Sequence, residues 1–169
     1  MDLFVNRERE LAELDAAAAA GGLFVLFGRR RVGKTRLIRQ WLRGHGGSYT
    51  QAIEAPAEIQ LEQAFRDLQP GLTTQIAPKN WSELLEILAL QPGPWTICID
   101  EFPYLVSVDS SLPSRLQRFL DHQLPKGCLL ILSGSSTSMM HATFLQRSAP
   151  LYGRARKVTQ FAEGLNIPI

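Results

Sequence analysis

The residue types and their spacing first indicate a loop that could bind phosphate. Positions 28 to 35 follow the pattern G-x-x-x-x-G-K-T, the Walker A motif, and read Gly28, Arg29, Arg30, Arg31, Val32, Gly33, Lys34 and Thr35. Glycine permits backbone angles that other residues avoid, so successive N–H groups can point into one concavity. We expect Lys34 to bridge the β- and γ-phosphates of a nucleotide and the Thr35 hydroxyl to ligate Mg²⁺.

The surroundings of this loop separate it from a chance turn of glycine and lysine. The run Leu23–Phe27 is apolar throughout, as expected of a strand buried on both faces. A helix is predicted from Lys34 to Arg43, and its amino end would add partial positive charge beside the loop. A strand, a loop and a helix in this order are the context that the motif requires.

A second pattern could supply a metal ligand and a group that orients water. The apolar run Trp95–Ile99 ends in Asp100 and Glu101, which is the form of a Walker B element. We expect Asp100 to hold Mg²⁺, directly or through water, and Glu101 to orient an attacking water. Two acids after an apolar run are most often solvated loop residues, but the phosphate loop 65 residues earlier favours the catalytic interpretation.

Two further segments hold residues that could face a phosphate. The run Leu129–Leu132 is followed by small polar residues, of which Ser133 and Ser135 are candidates to face the γ-phosphate. Ser136 could equally cap the next helix. Arg154 could act as an arginine finger that stabilises a transferring phosphoryl group, or it could belong to a basic surface cluster with Arg156 and Lys157.

Composition excludes several classes of protein. The chain has 169 residues, of which 45% are hydrophobic and 20% charged, as in ordinary globular proteins. Its longest apolar runs are far shorter than the roughly 20 residues of a membrane span, and its N-terminus has no apolar signal region. Cys98 and Cys128 lie in apolar runs and are expected to be reduced core thiols of a cytoplasmic protein.

Positive charge is concentrated around the loop although the net charge is only +2. No acid occurs between Asp15 and Glu54, whereas this interval contains seven basic residues: Arg29, Arg30, Arg31, Lys34, Arg36, Arg39 and Arg43. Such a field attracts an anion, although a solvated basic helix face is the ordinary alternative. Nucleotide phosphates account for most of this charge, and binding to DNA through the same stretch is a weaker hypothesis.

Strands and helices alternate along the chain. Apolar strands are predicted at Leu23–Phe27, Ser48–Ile53, Trp95–Ile99, Cys128–Leu132 and Val158–Phe161, with helical segments between them. Continuous apolar strands alternating with helices predict an α/β fold with three layers, in which helices cover both faces of a parallel sheet of about five strands.

The motifs together resemble the archaeal-type prokaryotic ATPase family, which belongs to the AAA+ and STAND-related P-loop NTPases. The similarity extends from Phe4 to about Arg154 and includes Phe-Val-Asn-Arg-Glu near the N-terminus and Ile-Asp-Glu-Phe-Pro-Tyr-Leu from Ile99. It implies that the Walker A and B strands are separated by the sensor strand and that Val5, Asn6 and Arg7 lie near the adenine. It also implies a catalytic or subunit-bridging role for Arg154.

The resemblance leads to one main hypothesis and one alternative. The main hypothesis is an Mg²⁺-dependent ATPase core that binds and slowly hydrolyses ATP; the choice of ATP rests on the family. The alternative is a nucleotide-gated, STAND-like module whose bound state is the output. The chain is interpreted as one domain, 1–169, that stops before a helical lid. A homo-oligomer or a partner protein is possible, DNA is expected only through C-terminal regions beyond this chain, and no membrane is expected.

Overall fold

Strands of this chain follow the buried apolar runs, and helices fill the intervals between them. The structure is a computed structural model, which describes residues 7–29 and 33–161. In chain order its elements are α1 (Glu8–Ala20), β1 (Gly22–Phe27), α2 (Lys34–His45), β2 (Ser48–Gln51), α3 (Ala57–Leu68), a 3₁₀ turn (Gln69–Gly71), α4 (Trp81–Leu90), β3 (Thr96–Asp100), α5 (Pro103–Val108), α6 (Leu112–His122), β4 (Leu129–Gly134), α7 (Thr137–Phe144) and β5 (Ala155–Gln160).

The five strands form one sheet in the order β2-β3-β4-β1-β5. Every neighbouring pair is parallel, so all five carboxyl ends lie along the same edge. This arrangement confirms the predicted α/β fold. It also confirms that the strand ending in small polar residues, β4, lies between the Walker A strand β1 and the Walker B strand β3.

Helices cover the sheet on both faces because alternate residues of each strand point in opposite directions. On β1, Phe24 and Leu26 pack with α1 and α2 in one core cluster. Leu23 and Val25 pack with α3, α4, α6 and α7 in the other. A strand buried from both sides must be apolar at every position, which is why the strongest sequence patterns became the central strands β1, β3 and β4.

The structure differs from the predicted elements where burial is one-sided or the element is short. Helix α5 was not predicted, because its six residues are too few to show a helical period. Strand β5 begins at Ala155 and not at Val158, since Arg156 and Lys157 are exposed on this edge strand and interrupt the apolar pattern. Strand β2 ends at Gln51, two residues before Ile53, and it too lies at an edge.

Side-chain hydrogen bonds cap the first turn of two helices. The Asn80 side chain caps α4 by accepting a hydrogen bond of 2.9 Å from the Glu83 N–H. The Ser136 side chain caps α7 through the Met139 N–H, the alternative considered for this residue.

Cys98 and Cys128 are free and buried, as expected. Over residues 7–29 and 33–161, none of the helices has the length and apolar character needed to cross a membrane.

Candidate active site

The predicted phosphate loop opens onto a cleft at the carboxyl edge of the sheet. The cleft has a volume of about 450 Å³, and its lining residues are Gly33, Lys34, Thr35, Arg36, Arg39, Arg43, Glu101 and Ser135. Gly33 precedes α2 with a φ of +89°, a left-handed conformation that favours glycine. The structure therefore brings the end of the Walker A motif, the predicted Walker B glutamate and one candidate sensor serine to a single cavity. Val5, Asn6, Arg30, Arg31 and Val32 lie outside the described residues.

The Walker A and Walker B elements are joined directly by their side chains. The hydroxyl of Thr35, in the first turn of α2, donates a hydrogen bond of 2.6 Å to Oδ2 of Asp100 at the end of β3. These two residues are the predicted metal-binding pair. Their contact shows that the loop helix and the third strand place both oxygen donors at one point.

Asp100 is completely buried and held by further hydrogen bonds. The Tyr49 hydroxyl donates to the same Oδ2 at 2.6 Å. The Ser133 hydroxyl donates to Oδ1 at 2.6 Å, and the backbone N–H of Glu101 donates to Oδ1 at 2.9 Å. These donors orient the carboxylate and replace the water that its burial removes.

A second chain of contacts joins Lys34 to Glu101. The Lys34 ammonium donates to the Ser135 hydroxyl at 3.1 Å, and this hydroxyl donates to Glu101 Oε1 at 2.6 Å. Glu101 has a φ of +55°, which is uncommon for a residue other than glycine. Such backbone outliers occur preferentially at functional sites, where the surrounding structure holds them in place.

Tyr49 contacts the predicted metal-binding acid Asp100, and the sequence analysis did not identify it. It lies on the edge strand β2, where it pairs with Cys98 of β3, and the Arg39 guanidinium lies 5.3 Å from its ring centre. Burial and the negative charge of Asp100 raise the pKa of Tyr49 far above its usual range. The hydroxyl therefore stays protonated and acts as a donor. A lone tyrosine in a short strand carries no spacing signal that could have revealed this contact.

Arg7 lies beside the entrance of the phosphate loop. Its guanidinium packs 3.7 Å from the ring centre of Phe161, whose N–H donates to the Phe27 carbonyl at 2.6 Å. A Cβ on Gly28 would come within 2.8 Å of the Phe161 carbonyl oxygen, so glycine permits this close approach. Arg7 therefore contacts Phe161, which packs against the first glycine of the loop, and Arg29, the next residue of the loop, is exposed.

The structure corrects the interpretation of Ser133. Its side chain was expected to be a candidate for facing a γ-phosphate, but it is completely buried and its hydroxyl is directed at Asp100. Ser133 thus acts on the site through the carboxylate that it orients. Ser135, two residues further on and past the end of β4, is the serine that lines the cleft.

Arg154 is not brought to the site of its own chain. It precedes β5, whose first residue Ala155 pairs with Leu23 near the start of β1, whereas the loop follows the end of β1. Five strand residues separate the two levels, or about 16 Å. Arg154 instead donates two hydrogen bonds, of 3.2 and 3.1 Å, to Asp121. This pairing lowers the pKa of Asp121 and raises that of Arg154.

The oxygen donors of the site are of the kind that holds a magnesium ion beside a nucleotide. The described residues contain no group of three or more His, Cys, Asp or Glu side chains that could hold a metal by themselves. Mg²⁺ is ordinarily held by one or two carboxylates together with substrate phosphates and water. Thr35 and Asp100, next to a loop suited to phosphate, are a donor set of this kind.

Comparison with known proteins identifies similar sequences. A family model that describes an ATPase domain predominantly from Archaea matches residues 4–162. A protein of Methanocaldococcus jannaschii, itself uncharacterised, is 32% identical over 155 residues, which are 90% of this chain and 34% of that protein. The chain thus spans about one third of the length of this relative.

Solved structures show the same fold at low sequence identity. A Walker-type ATPase from Pyrococcus abyssi has a TM-score of 0.66 and 22% identity over 92% of this chain and 53% of that one. Cdc6p from Pyrobaculum aerophilum has a TM-score of 0.61 and 13% identity over 95% of this chain and 46% of that one. Drosophila ORC bound to DNA has a TM-score of 0.61 and 20% identity, over 94% and 43% of the two chains.

Proposed function

Since this chain belongs to the family of ATPase domains that come predominantly from Archaea, we propose that it binds ATP with Mg²⁺ in the cleft beside α2 and hydrolyses it. The observation that carries the proposal is the hydrogen bond between Thr35 and Asp100. It joins the end of the phosphate loop to the acid of the third strand, at the edge of a cleft that also contains Lys34 and Glu101.

Lys34 and the loop amides are the proposed phosphate-binding groups. Lys34 is buried, and its ammonium donates to Ser135 at the cleft, where a phosphate oxygen would be a stronger, charged acceptor. Gly33 and the amino end of α2 add backbone N–H groups and partial positive charge. The predicted contacts of Arg29, Arg30, Arg31, Val32 and Arg36 with the nucleotide remain part of this proposal.

Thr35 and Asp100 are the proposed oxygen donors toward magnesium. A magnesium ion held by these two residues would supply positive charge beside the phosphates of the nucleotide. Asp100 is kept in one orientation by the donors around it, so its position requires no rearrangement of a flexible side chain. Pre-organised charges of this kind contribute most to catalysis in sites that exclude water.

Glu101 is the proposed residue that orients the attacking water. Its carboxylate reaches the cleft while Ser135 donates a hydrogen bond to one of its oxygens, so the other oxygen can accept from a water. Ser135 also contacts Lys34, so one hydroxyl positions the water-orienting group relative to the phosphate-binding group. We therefore assign Ser135 the sensor role predicted for the loop after β4.

The residues near the adenine and the contacts with partners are proposed from the family resemblance and from the position of the residues in the fold. Val5, Asn6 and Arg7 are proposed to lie near the adenine, and Arg7 does contact the segment beside Gly28. Arg154 lies near the amino ends of the strands and cannot reach the cleft at their carboxyl ends in its own chain. We therefore assign its catalytic role to the nucleotide of a neighbouring copy. A helical lid and any contact with DNA are proposed for regions beyond this chain, and the protein is proposed to be cytoplasmic.

A nucleotide-gated switch is the second candidate function. The observation in its favour is that Ser135 and the backbone already engage the acidic groups of the site, since Glu101 accepts from Ser135 and also donates its N–H to Asp100. In this candidate function, differential affinity for ATP shifts a conformational population, and the bound state is the output. Tight binding with negligible hydrolysis would favour the switch, and a fast basal rate would favour the enzyme.

The test compares nucleotide binding and hydrolysis in three variants of the full chain. Lys34→Ala should abolish ATP binding measured by titration calorimetry, whereas Lys126→Ala, which removes an exposed lysine before β4, should not. Glu101→Gln should retain binding and lose phosphate release. ATP affinity that survives Lys34→Ala would refute the site, and an unchanged hydrolysis rate in Glu101→Gln would remove Glu101 from its role.

A further inference from the structure

The carboxylate of Asp100 is fully occupied by donors of this chain. Oδ2 accepts the hydroxyl hydrogens of Thr35 and Tyr49, each at 2.6 Å, and Oδ1 accepts from Ser133 at 2.6 Å and from the Glu101 N–H at 2.9 Å. A carboxylate has about four lone-pair positions. Holding a magnesium ion, directly or through a water, therefore requires that one of these four donors leave Asp100.

Three of the four donors are poorly placed to leave. The Glu101 N–H belongs to the backbone at the end of β3, where Phe102 N–H also ties the chain to the Ser133 carbonyl at 2.9 Å. The Ser133 hydroxyl is completely buried, and without Asp100 it would lose its partner away from water. Thr35 is the other oxygen donor of the same proposed metal site, so its position must be kept.

Tyr49 is the donor whose hydroxyl has an alternative acceptor, Gln51. Its side chain is half-buried on the edge strand β2, and its hydroxyl also lies 3.4 Å from Oε1 of Gln51 in an exposed contact. A small movement toward Gln51 or toward solvent would free a lone pair on Oδ2 without leaving a buried group unpaired. The Arg39 guanidinium, which lines the cleft, lies 5.3 Å from the centre of this tyrosine ring.

We propose that Tyr49 is a placeholder on Asp100: its hydroxyl occupies a lone pair of the carboxylate and is displaced when the metal-nucleotide complex binds. Tyr49 thereby competes with the metal for Asp100 and lowers the affinity of the site for the metal. This inference rests on the proposed function, because it requires that Thr35 and Asp100 be the donors toward the metal. It deepens that function by naming the residue that sets the metal affinity.

The test measures metal affinity in Tyr49→Phe, with Mn²⁺ as a paramagnetic probe and the full chain saturated with a non-hydrolysable ATP analogue. Removing the competing hydroxyl should lower the Mn²⁺ dissociation constant by roughly 3- to 10-fold. This change corresponds to part of the free energy of a hydrogen bond to a charged group. Without metal, the same variant should unfold at a lower temperature than the wild type. Tyr152→Phe, which changes an exposed tyrosine, is the matched control and should alter neither value.

The outcomes separate this inference from the proposed function. A Tyr49→Phe protein that binds Mn²⁺ as the wild type does, or more weakly, would overturn the placeholder role; weaker binding is expected if Tyr49 only orients the carboxylate. A wild-type protein that binds nucleotide but no metal would overturn both proposals.

Fluorotyrosine-labelled wild-type protein gives a readout that does not depend on the variant folding. The ¹⁹F resonance of Tyr49, assigned by exclusion with Tyr104→Phe and Tyr152→Phe, should shift when Mg²⁺ is added to the nucleotide-saturated protein. A resonance that does not respond to Mg²⁺ would overturn the displacement.

Discussion

Thr35 and Asp100 are 65 positions apart in the chain, and their side chains share a hydrogen bond of 2.6 Å. The contact exists because α2 begins beside the carboxyl ends of β1, β4 and β3, which lie next to one another in the sheet. The phosphate loop and the acid of the third strand are thus parts of one site, and substitutions at either residue should alter the same binding event.

Thr35→Ala should lower the affinity for nucleotide in the presence of Mg²⁺ but have little effect when the metal is chelated. The substitution removes a proposed metal donor and a donor to the buried Asp100, for which a loss of about 10- to 100-fold in metal affinity is typical. Thr35→Ser keeps the hydroxyl and should restore the affinity. Titrations with a fluorescent nucleotide, with Mg²⁺ and with chelator, test this; equal losses under both conditions would contradict it.

Ser133→Ala should destabilise the protein although Ser133 does not reach the cleft. The change leaves Oδ1 of a completely buried carboxylate with one donor fewer, at a cost of about 1–3 kcal/mol in the free energy of unfolding. Ser114→Ala, at an exposed position on α6, is the matched control and should have almost no effect. Urea denaturation followed by circular dichroism measures both variants, and equal midpoints would show that Ser133 does not support Asp100.

Ser135→Ala should slow hydrolysis more than it weakens nucleotide binding. The hydroxyl links Lys34 to Glu101, so its loss should free the glutamate to adopt unproductive orientations, while Lys34 should keep its proposed contacts with phosphate. Steady-state phosphate release compared with binding affinity separates the two effects. Ser138→Ala changes an exposed serine of α7 and serves as the control. An unaltered turnover number in Ser135→Ala would mean that Glu101 does not depend on this contact.

Alanine substitutions at Gly33 and Gly44 should have opposite effects on stability. Added Cβ atoms meet nothing within 4 Å at either position, so only backbone conformation distinguishes them. Gly33 has a φ of +89°, for which alanine costs about 1–2 kcal/mol, and the distorted loop should also bind nucleotide more weakly. Gly44 lies inside α2, where alanine should stabilise the protein by about 0.5–1 kcal/mol. Thermal unfolding of both variants measures these effects; a stabilised Gly33→Ala protein would show that the left-handed conformation is not required.

Asp121→Asn should reduce the loss of stability that acid causes. Pairing with Arg154 lowers the pKa of Asp121 below its ordinary value of 3.8. The contribution of the pair is therefore complete above pH 3.8 and disappears as the pH falls through the lowered pKa. Both side chains are about one third exposed, so the effect should be small and should weaken further in high salt. Unfolding curves between pH 2 and 7 compare the variant with the wild type, and parallel profiles would contradict the pairing.

The central strands and the sites at their ends could be predicted because each depends on a local pattern. Buried strands β1, β3 and β4 require apolar residues at nearly every position. The glycines before Lys34 predict a turn that leads into a helix. Edge elements could not be predicted as well. In β5, exposed Arg156 and Lys157 interrupt the apolar pattern, and pairing with β1 determines where this strand begins.

By itself the sequence determined the α/β class, and it predicted the phosphate loop with Lys34, Thr35, Asp100 and Glu101 as the candidate groups, since spacing along one chain encodes each motif. Only the tertiary structure decided which distant side chains meet. It directed Ser133 and Tyr49 at Asp100 and left Ser135 in the cleft. It also placed Arg154 near the amino ends of the strands, where it pairs with Asp121. Strand order and register set these contacts, and both arise from pairing between segments whose separation in the chain carries no local signal.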